Sequence, residues 1–294
     1  MIIFYSQLLN ASVILLDAAK QFNYADHCFG EGKYLRSIDE YERFIFFFPD
    51  DEKIELALYK IGMSYFKSRQ FAKAIDTFAR LIDKFVDTEL SLESYFMISN
   101  CHKKLGKIGL AVTNLNNLIA LTDDLQLIDK AYSKIGWIFV DLASWEMARR
   151  YFDRISPENQ DKYKIKHIFS KLDKAGKISR KKPGLSGFLS IIPGAGHLYC
   201  KRYHDALVAF LINTGLIYAA YESFHHNNNG LGGAISLVES GFYTGNIYGA
   251  ITSAKKYNKY KAKSFITRFK DSIKIGCFKE NNNRHVRFSF DFHF

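Results

Sequence analysis

An all-α chain is expected: stacked helical pairs through the first half, then a helical hairpin able to cross a membrane. Three observations lead there. One pattern recurs four times at a fixed spacing of 37 residues. Apolar residues inside each copy follow helical rather than strand spacing. Past residue 183 two long apolar stretches flank the polar turn His225–Gly230, with basic runs on both sides.

The repeat is read in columns. Small residues stand at Ser37, Ala74, Ala111 and Ala148. Large ones follow four places later at Tyr41, Phe78, Leu115 and Phe152. Others precede by three, at Tyr34, Phe71, Ile108 and Trp145. Twelve places before the small column stand Ala25, Gly62, Ser99 and Gly136. Each copy then reads as helix, short turn, helix. The small columns let the two helices approach and the large columns fill the gap to neighbours. No copy can bury its apolar face alone, so the four form one cooperative core and a binding surface, not a catalytic pocket.

In chain order, residues 1–17 have two readings. One is a signal segment, although no Lys or Arg precedes its apolar run. The other is a helix packed on the first repeat. Residues 18–172 hold the four repeats. Phe48-Pro49-Asp50, Asp87-Thr88 and Thr122-Asp123-Asp124 supply breaks and N-caps between them. A capping helix follows on Ile165, Ile168, Phe169 and Leu172, with Lys164, Lys166 and Lys171 on its other side. Residues 173–182 are a basic linker.

Residues 183–257 form the hairpin module. Asp205–Phe224 and Leu231–Ala254 have 20 and 24 residues. At about 1.5 Å per residue each spans roughly 30 Å, the thickness of a hydrocarbon core. Gly241, Gly245, Gly249 and Ser253 recur every fourth residue and are expected to seam the two helices. Glu239 is a carboxylate inside a span, which costs roughly 2.5–3.5 kcal/mol on insertion scales, so it should face a partner; Tyr218 is the expected one. A soluble buried hairpin is the competing reading, weakened by the lack of a polar face across Ala206–Ala220. Residues 258–294 are a basic tail ending in a strand whose Val286, Phe288, Phe290, Phe292 and Phe294 share one face.

Composition narrows the function. The formal charge is +11, and much of the excess lies in Lys171–Lys182 and Lys255–Lys270, around the apolar stretch. Basic flanks around an apolar core point to membrane lipid and away from nucleic acid, and no nucleic-acid motif is present. Cys28, Cys101, Cys200 and Cys277 are scattered and read as small buried residues. His197, Cys200 and His204 could share a helical face and bind a metal, but no clear fourth ligand joins them beyond Asp205. Gly194-Ala-Gly196 is too short for a dinucleotide loop, and no phosphate loop exists. No catalytic residue, cofactor, metal or small-molecule substrate is expected.

The columns at Gly62, Ala74, Tyr65 and Phe78, with Pro49 closing the first copy, resemble the tetratricopeptide repeat. The resemblance implies a tetratricopeptide-repeat helical solenoid, followed here by a membrane helical hairpin. Tyr41–Asp50 is most similar to repeats of bacterial cell-envelope assembly proteins, although no lipoprotein cysteine stands near the N-terminus. In that family ligands lie in the concave groove formed by the first helix of each pair. Carried over by position, the groove residues are Phe22, Phe29, Tyr59, Met63, Phe66, Phe96, Asn100, Lys103 and Trp137, suited to a protein or peptide partner carrying acidic residues. Pro193-Gly-Ala-Gly-His-Leu-Tyr199 resembles small two-helix membrane modules of the TM2 type.

These expectations describe a non-enzymatic, membrane-associated scaffold of the bacterial envelope. The competing class is a soluble or secreted assembly chaperone whose apolar half packs on a partner. Basic flanks place both hairpin ends, and the repeats, in the cytoplasm by the positive-inside rule. The envelope resemblance favours the periplasm and tips the reading that way.

Overall fold

A computed structural model describes residues 17–280, with side chains up to residue 273. The expected N-terminal segment (residues 1–16) and terminal strand (286–294) lie outside the described residues. All regular structure among the described residues is helical. They fall into two compact units. The first holds residues up to Ile138 with Arg150–Tyr163; the second holds Phe139–Arg149 with the residues from Lys164 onward.

The repeats are the pairs α1 (Ala18–Gly30) and α2 (Tyr34–Phe47), α3 (Ile54–Lys67) and α4 (Phe71–Lys84), α5 (Glu89–Lys104) and α6 (Ile108–Leu121), α7 (Leu125–Asp141) and α8 (Trp145–Phe152). Polar side chains start α1, α5 and α7, the last two at breaks read from the sequence, whereas α3, after Phe48-Pro49-Asp50, begins after Lys53 with no side-chain cap. Asp17 accepts from the Lys20 amide at 3.0 Å, Thr88 from Ser91 at 3.2 Å, and Asp124 from Gln126 at 2.8 Å. In the first unit each helix from α1 to α6 packs on the next, and α1 also meets α3, and α3 meets α5. First helices therefore form the inner layer.

The columns are explained by burial. Ser37, Ala74, Ala111 and Ala148 are fully buried, as are Tyr41, Phe78, Leu115 and Phe152. A Cβ on Gly62 would lie 2.6 Å from the Phe78 ring, and one on Gly136 would lie 2.7 Å from the Phe152 ring. Two pairs thus press an aromatic face on a bare helix backbone. The other two pairs carry Ala25 with Tyr41 and Ser99 with Leu115 in the same columns.

A further column joins the two helices of each pair. Gly32, Arg69, Gly106 and Ala143 all have positive φ, at 75°, 63°, 73° and 54°. The amide that follows each reaches back five residues: Lys33 to Cys28, Gln70 to Tyr65, Lys107 to His102, and Ser144 to Phe139, at 2.8–3.0 Å. This is a left-handed helix stop, which glycine adopts without strain. Arg69 and Ala143 adopt it at a cost of about 1–2 kcal/mol, partly offset because glycine loses more chain entropy on folding. Arg69→Gly should therefore stabilise the first unit by about 0.5–1 kcal/mol, read as a higher urea midpoint by circular dichroism.

In the second unit α9 (Ile165–Gly176) buries Ile165, Ile168, Leu172 and Ala175. Its Asp173 pairs with Arg149 at 2.7 Å, and Arg149 lies 4.5 Å from the Phe169 ring centre. Next come α10 (Pro183–Leu189), α11 (Ala195–Tyr199), α12 (Tyr203–His225) and α13 (Asn229–Glu280). The helix expected to end at Ala254 instead runs unbroken to residue 280, carrying the basic run on its surface. Nothing in Lys255–Lys270 breaks a helix, since lysine propagates one nearly as well as leucine.

Pro193–Tyr199 is a structural node. Gly194 has φ 84°, and a Cβ there would lie 2.3 Å from the Ala206 carbonyl oxygen on α12. A Cβ on Gly196 would lie 2.2 Å from the Ser186 carbonyl oxygen and 2.7 Å from the Ala250 Cβ. Ser186 donates to the carbonyls of Gly196 and Ala250 at 3.1 and 2.9 Å, joining α10, α11 and α13. The motif's glycines are thus required for close approach.

Candidate functional site

The groove residues separate by column. Phe22, Tyr59, Phe96 and Ser133 occupy one register, which in the first two pairs turns onto the second helix. Phe22 and Phe96 are only 6% and 3% exposed. Phe22 meets Tyr41 and Phe44 edge-on at 5.5 and 5.3 Å. Tyr59 packs on Phe78 at 5.6 Å, and burial, then the Glu93 charge, pushes its phenol up to about 12. Phe22 and Tyr59 are therefore packing residues of their own pairs, and Phe96 is buried at the same register: a first helix must spend one stripe on its own pair before it can offer another to a ligand.

The remaining positions are half-buried and border the inner face. Phe29 meets Tyr34 at 5.8 Å, Phe66 meets Phe71 at 5.5 Å, and Trp137 meets Phe152 at 5.6 Å. Met63 packs beside the Phe78 cluster. Asn100 reaches the Met97 sulfur at 3.8 Å. Lys103 follows Phe66 in its column and stands in the last turn of α5. Exposed Lys67 and Lys104 share the next column. They also complement the negative ends of α3 and α5, a structural role that needs no ligand.

Ion pairs that cross between first helices are not evident from single columns. Lys60 on α3 donates to Asp26 on α1 at 2.7 Å, and the Tyr41 hydroxyl donates to the same oxygen at 2.7 Å. The Lys60 hydrogen bond, outweighing burial and helped by Tyr41, holds the Asp26 carboxyl below its ordinary range. The link is intact at neutral pH and is lost as acid protonates Asp26 through that lowered value. Lys130 on α7 pairs with Glu93 on α5 and lies 4.4 Å from the Phe96 ring centre. Such exposed pairs add little stability each, but they hold the register of neighbouring units.

The hairpin differs from expectation in its seam. Gly232 lies under the Phe224 ring, and Arg202 donates to Ser253 at 3.1 Å, so α12 and α13 run antiparallel. A Cβ on Gly249 would lie 3.3 Å from the His197 ring, whereas one on Gly241 or Gly245 would meet nothing within 4 Å. The stripe divides: Gly241 and Gly245 lie beside the seam while Gly249 and Ser253 enter it, and the side turned inward also holds Glu239, Asn246 and Ala250, all buried. Glu239 and Tyr218 are not brought together. Glu239 is 8% exposed with neither carboxylate oxygen hydrogen-bonded, while Tyr218 is 65% exposed. Contacts with α10 and α11 rotate α13, and sequence spacing along one helix cannot reveal that rotation.

His197, Cys200 and His204 also separate. Cys200 is buried beside Ser186 at 3.3 Å, His197 lies 3.4 Å from Ser253, and the His204 side chain is 90% exposed. Among the described residues no group of three or more His, Cys, Asp or Glu side chains could hold a metal ion.

Also among the described residues, one helix, Tyr203–His225, is long and apolar enough to cross a membrane. The second expected span does not reach that level.

A family model described as a tetratricopeptide repeat matches residues 56–88, which is α3, α4 and the turn between them. One similar solved structure is a tetratricopeptide repeat protein from Parabacteroides merdae, with 15% identity and a TM-score of 0.43, covering 86% of this chain and 98% of that one. Another is the Rap conjugation gene regulator of the plasmid pLS20 in complex with a Phr peptide. It has 14% identity and a TM-score of 0.39, covering 97% of this chain and 84% of that one. No curated protein matches the chain in sequence.

Proposed function

We propose that this chain is a non-enzymatic scaffold, held in a membrane by its second unit, that binds a protein or peptide partner through its tetratricopeptide repeats. The observation that carries the membrane half is the state of α12. It is apolar enough to span a bilayer, yet only 11% of its most apolar stretch is buried. A core helix of a soluble protein would be mostly buried. Instead Leu207, Phe210, Leu211, Ile217 and Tyr221 of α12 are 47–63% exposed, and Leu237 and Phe242 extend the patch on α13. Soluble proteins rarely leave so many large apolar side chains exposed along one helix unless a partner or lipid covers them. Basic runs flank the hairpin where the chain enters and leaves it, at Lys174–Lys182 and Lys255–Lys263, as lipid headgroups favour. The unit serves as a two-helix membrane module of the TM2 type.

The deciding experiment is an alkaline carbonate wash of membranes carrying the full chain. Retention in the pellet supports the proposal. Release into the supernatant favours the competing reading, in which a protein partner covers the apolar unit. A bacterial envelope location, with the repeats facing the periplasm, rests on the resemblance of Tyr41–Asp50. Protease added to spheroplasts tests it: repeats that survive until the membrane is opened are cytoplasmic.

For the repeats, the ligand surface is the half-buried border of the inner layer with its exposed lysines, which suits an acidic peptide. Replacing Tyr59 would damage the core, so the informative change is charge reversal at the surface. Lys67→Glu with Lys104→Glu should weaken a display-selected acidic peptide about tenfold, since rim ion pairs contribute up to about 1 kcal/mol each. Helix content should be unchanged. Equal affinity in the double variant would place the ligand elsewhere.

A further inference from the structure

Beyond the hairpin, where α13 continues as a basic helix, the second unit carries a cleft of about 770 Å³. Three segments of that unit line it: the face of α13 with Lys259, Lys263 and Lys270, the end of α7 with its turn at Asp141–Ala143, and Arg180 of the basic linker. The linker is fastened there. The Lys181 amide donates to the Asn258 side-chain oxygen at 2.8 Å, and the Asn258 side-chain amide donates back to the Lys181 carbonyl at 2.7 Å. The Lys181 ammonium also lies 4.3 and 5.8 Å from the ring centres of Tyr199 and Tyr257. Arg180 is thereby held against the turn of α13 that carries Lys259.

The charges of the cleft are sorted along its length. Lys270 pairs with Asp141 at 2.5 Å, so this cation is already answered. Arg180, Lys259 and Lys263 are exposed, and none of the three meets a carboxylate among the described residues. The other carboxylate of the lining, Asp271, lies about two turns, or 12 Å, past Lys263. The end nearer the hairpin is therefore cationic, and three cations gathered there repel one another until an anion joins them. That end is also at headgroup depth. Lys259 and Lys263 lie about 8 and 13 Å along the helix past Ala254, where the apolar stretch ends. Side chains on a helix lean toward its N-terminus, which for α13 is toward the hairpin, so both ammonium groups reach back to a headgroup layer roughly 5–8 Å thick.

We infer that this cleft binds the headgroup of an anionic phospholipid at the foot of the hairpin, its phosphate held by Arg180, Lys259 and Lys263. The inference rests on the membrane reading above. A flat basic surface only attracts anionic lipid, whereas a walled cleft with an anchored arginine selects one molecule. The guanidinium supplies the planar fork that matches phosphate oxygens, and the two lysines add point charges.

The test uses the full chain in a neutral detergent, with native mass spectrometry counting the lipids that each chain keeps. The probes are phosphatidylglycerol, phosphatidylcholine and soluble glycerol phosphate. The wild type should hold phosphatidylglycerol at least about tenfold more tightly than phosphatidylcholine. Arg180→Gln, Lys259→Gln and Lys263→Gln together should weaken it at least about tenfold, with helix content unchanged. Lys255→Gln, Lys256→Gln and Lys261→Gln remove the same charge from exposed positions of α13 outside the cleft, and should leave the affinity within about twofold. Equal losses in the two triple variants would show diffuse attraction and overturn the inference, as would a wild type with no preference for phosphatidylglycerol. Glycerol phosphate that displaces the lipid at equal concentration would make the ligand a soluble phosphate ester and overturn the lipid assignment. Release of the wild type by carbonate overturns the membrane reading first, and the lipid site with it; a chain that carbonate retains but that shows no preference fails this inference alone.

Discussion

Gly62→Ser is expected to lower the stability of the repeats by about 2–3 kcal/mol, measured as a lower urea midpoint at unchanged slope. The Cβ alone would stand 2.6 Å from the Phe78 ring, and that ring is fully buried between helices with no room to retreat. Overpacking of this kind is relieved only by moving α3 from α4, which strips contacts along the pair. The third repeat already carries the compensated form, with Ser99 at the glycine position and Leu115 at the ring position. Phe78→Leu alone should cost about 1 kcal/mol for the smaller side chain. Combined with Gly62→Ser it should recover at least half the loss, a coupling that independent sites would not show. A double variant no better than the sum of its parts would mean that the register match is not what makes the two columns covary.

Leu211→Arg is expected to move the chain from the carbonate pellet to the supernatant. Leu211 lies in the middle of α12 and is 59% exposed, so its replacement removes little packing. In a bilayer an arginine near the helix centre costs roughly 2.5–3.5 kcal/mol on insertion scales, shifting the inserted fraction by about a hundredfold. In water the same change would be neutral or would improve solubility. A chain that is equally retained with arginine at 211, or that shows no membrane retention to lose, would remove the bilayer as the medium around α12.

Much of the first unit was readable because a repeat turns a local signal into a global one. A single Gly62 carries little information, but a small residue in that column of every pair reports a close helix crossing that each copy repeats with its neighbours. The turn column was open to the same reading: Gly32 and Gly106 stand two repeats apart, and the structure adds Arg69 and Ala143 with the same backbone sign. Side-chain chemistry hides that column, since arginine gives no hint of a left-handed backbone. The groove was legible only as a set of columns. Their spacing placed Phe22 and Phe96 on first helices but could not say which stripe faces the paired helix and which faces a ligand.

The sequence by itself determined the all-helical class, the four helical pairs with the breaks between them, and the apolar character of α12. Those features follow from periodicity, turn residues and composition, which act within a few residues along the chain. Only the tertiary structure decided which face each helix turns inward. That choice depends on elements distant in sequence: α10 and α11 pack on α13 and rotate it, so Asn246 and Glu239 go to the seam and Gly241 and Gly245 to the outside. A helix carries its side chains on every side at once. Which of them are buried is settled by the surfaces that remain uncovered when the rest of the unit has packed.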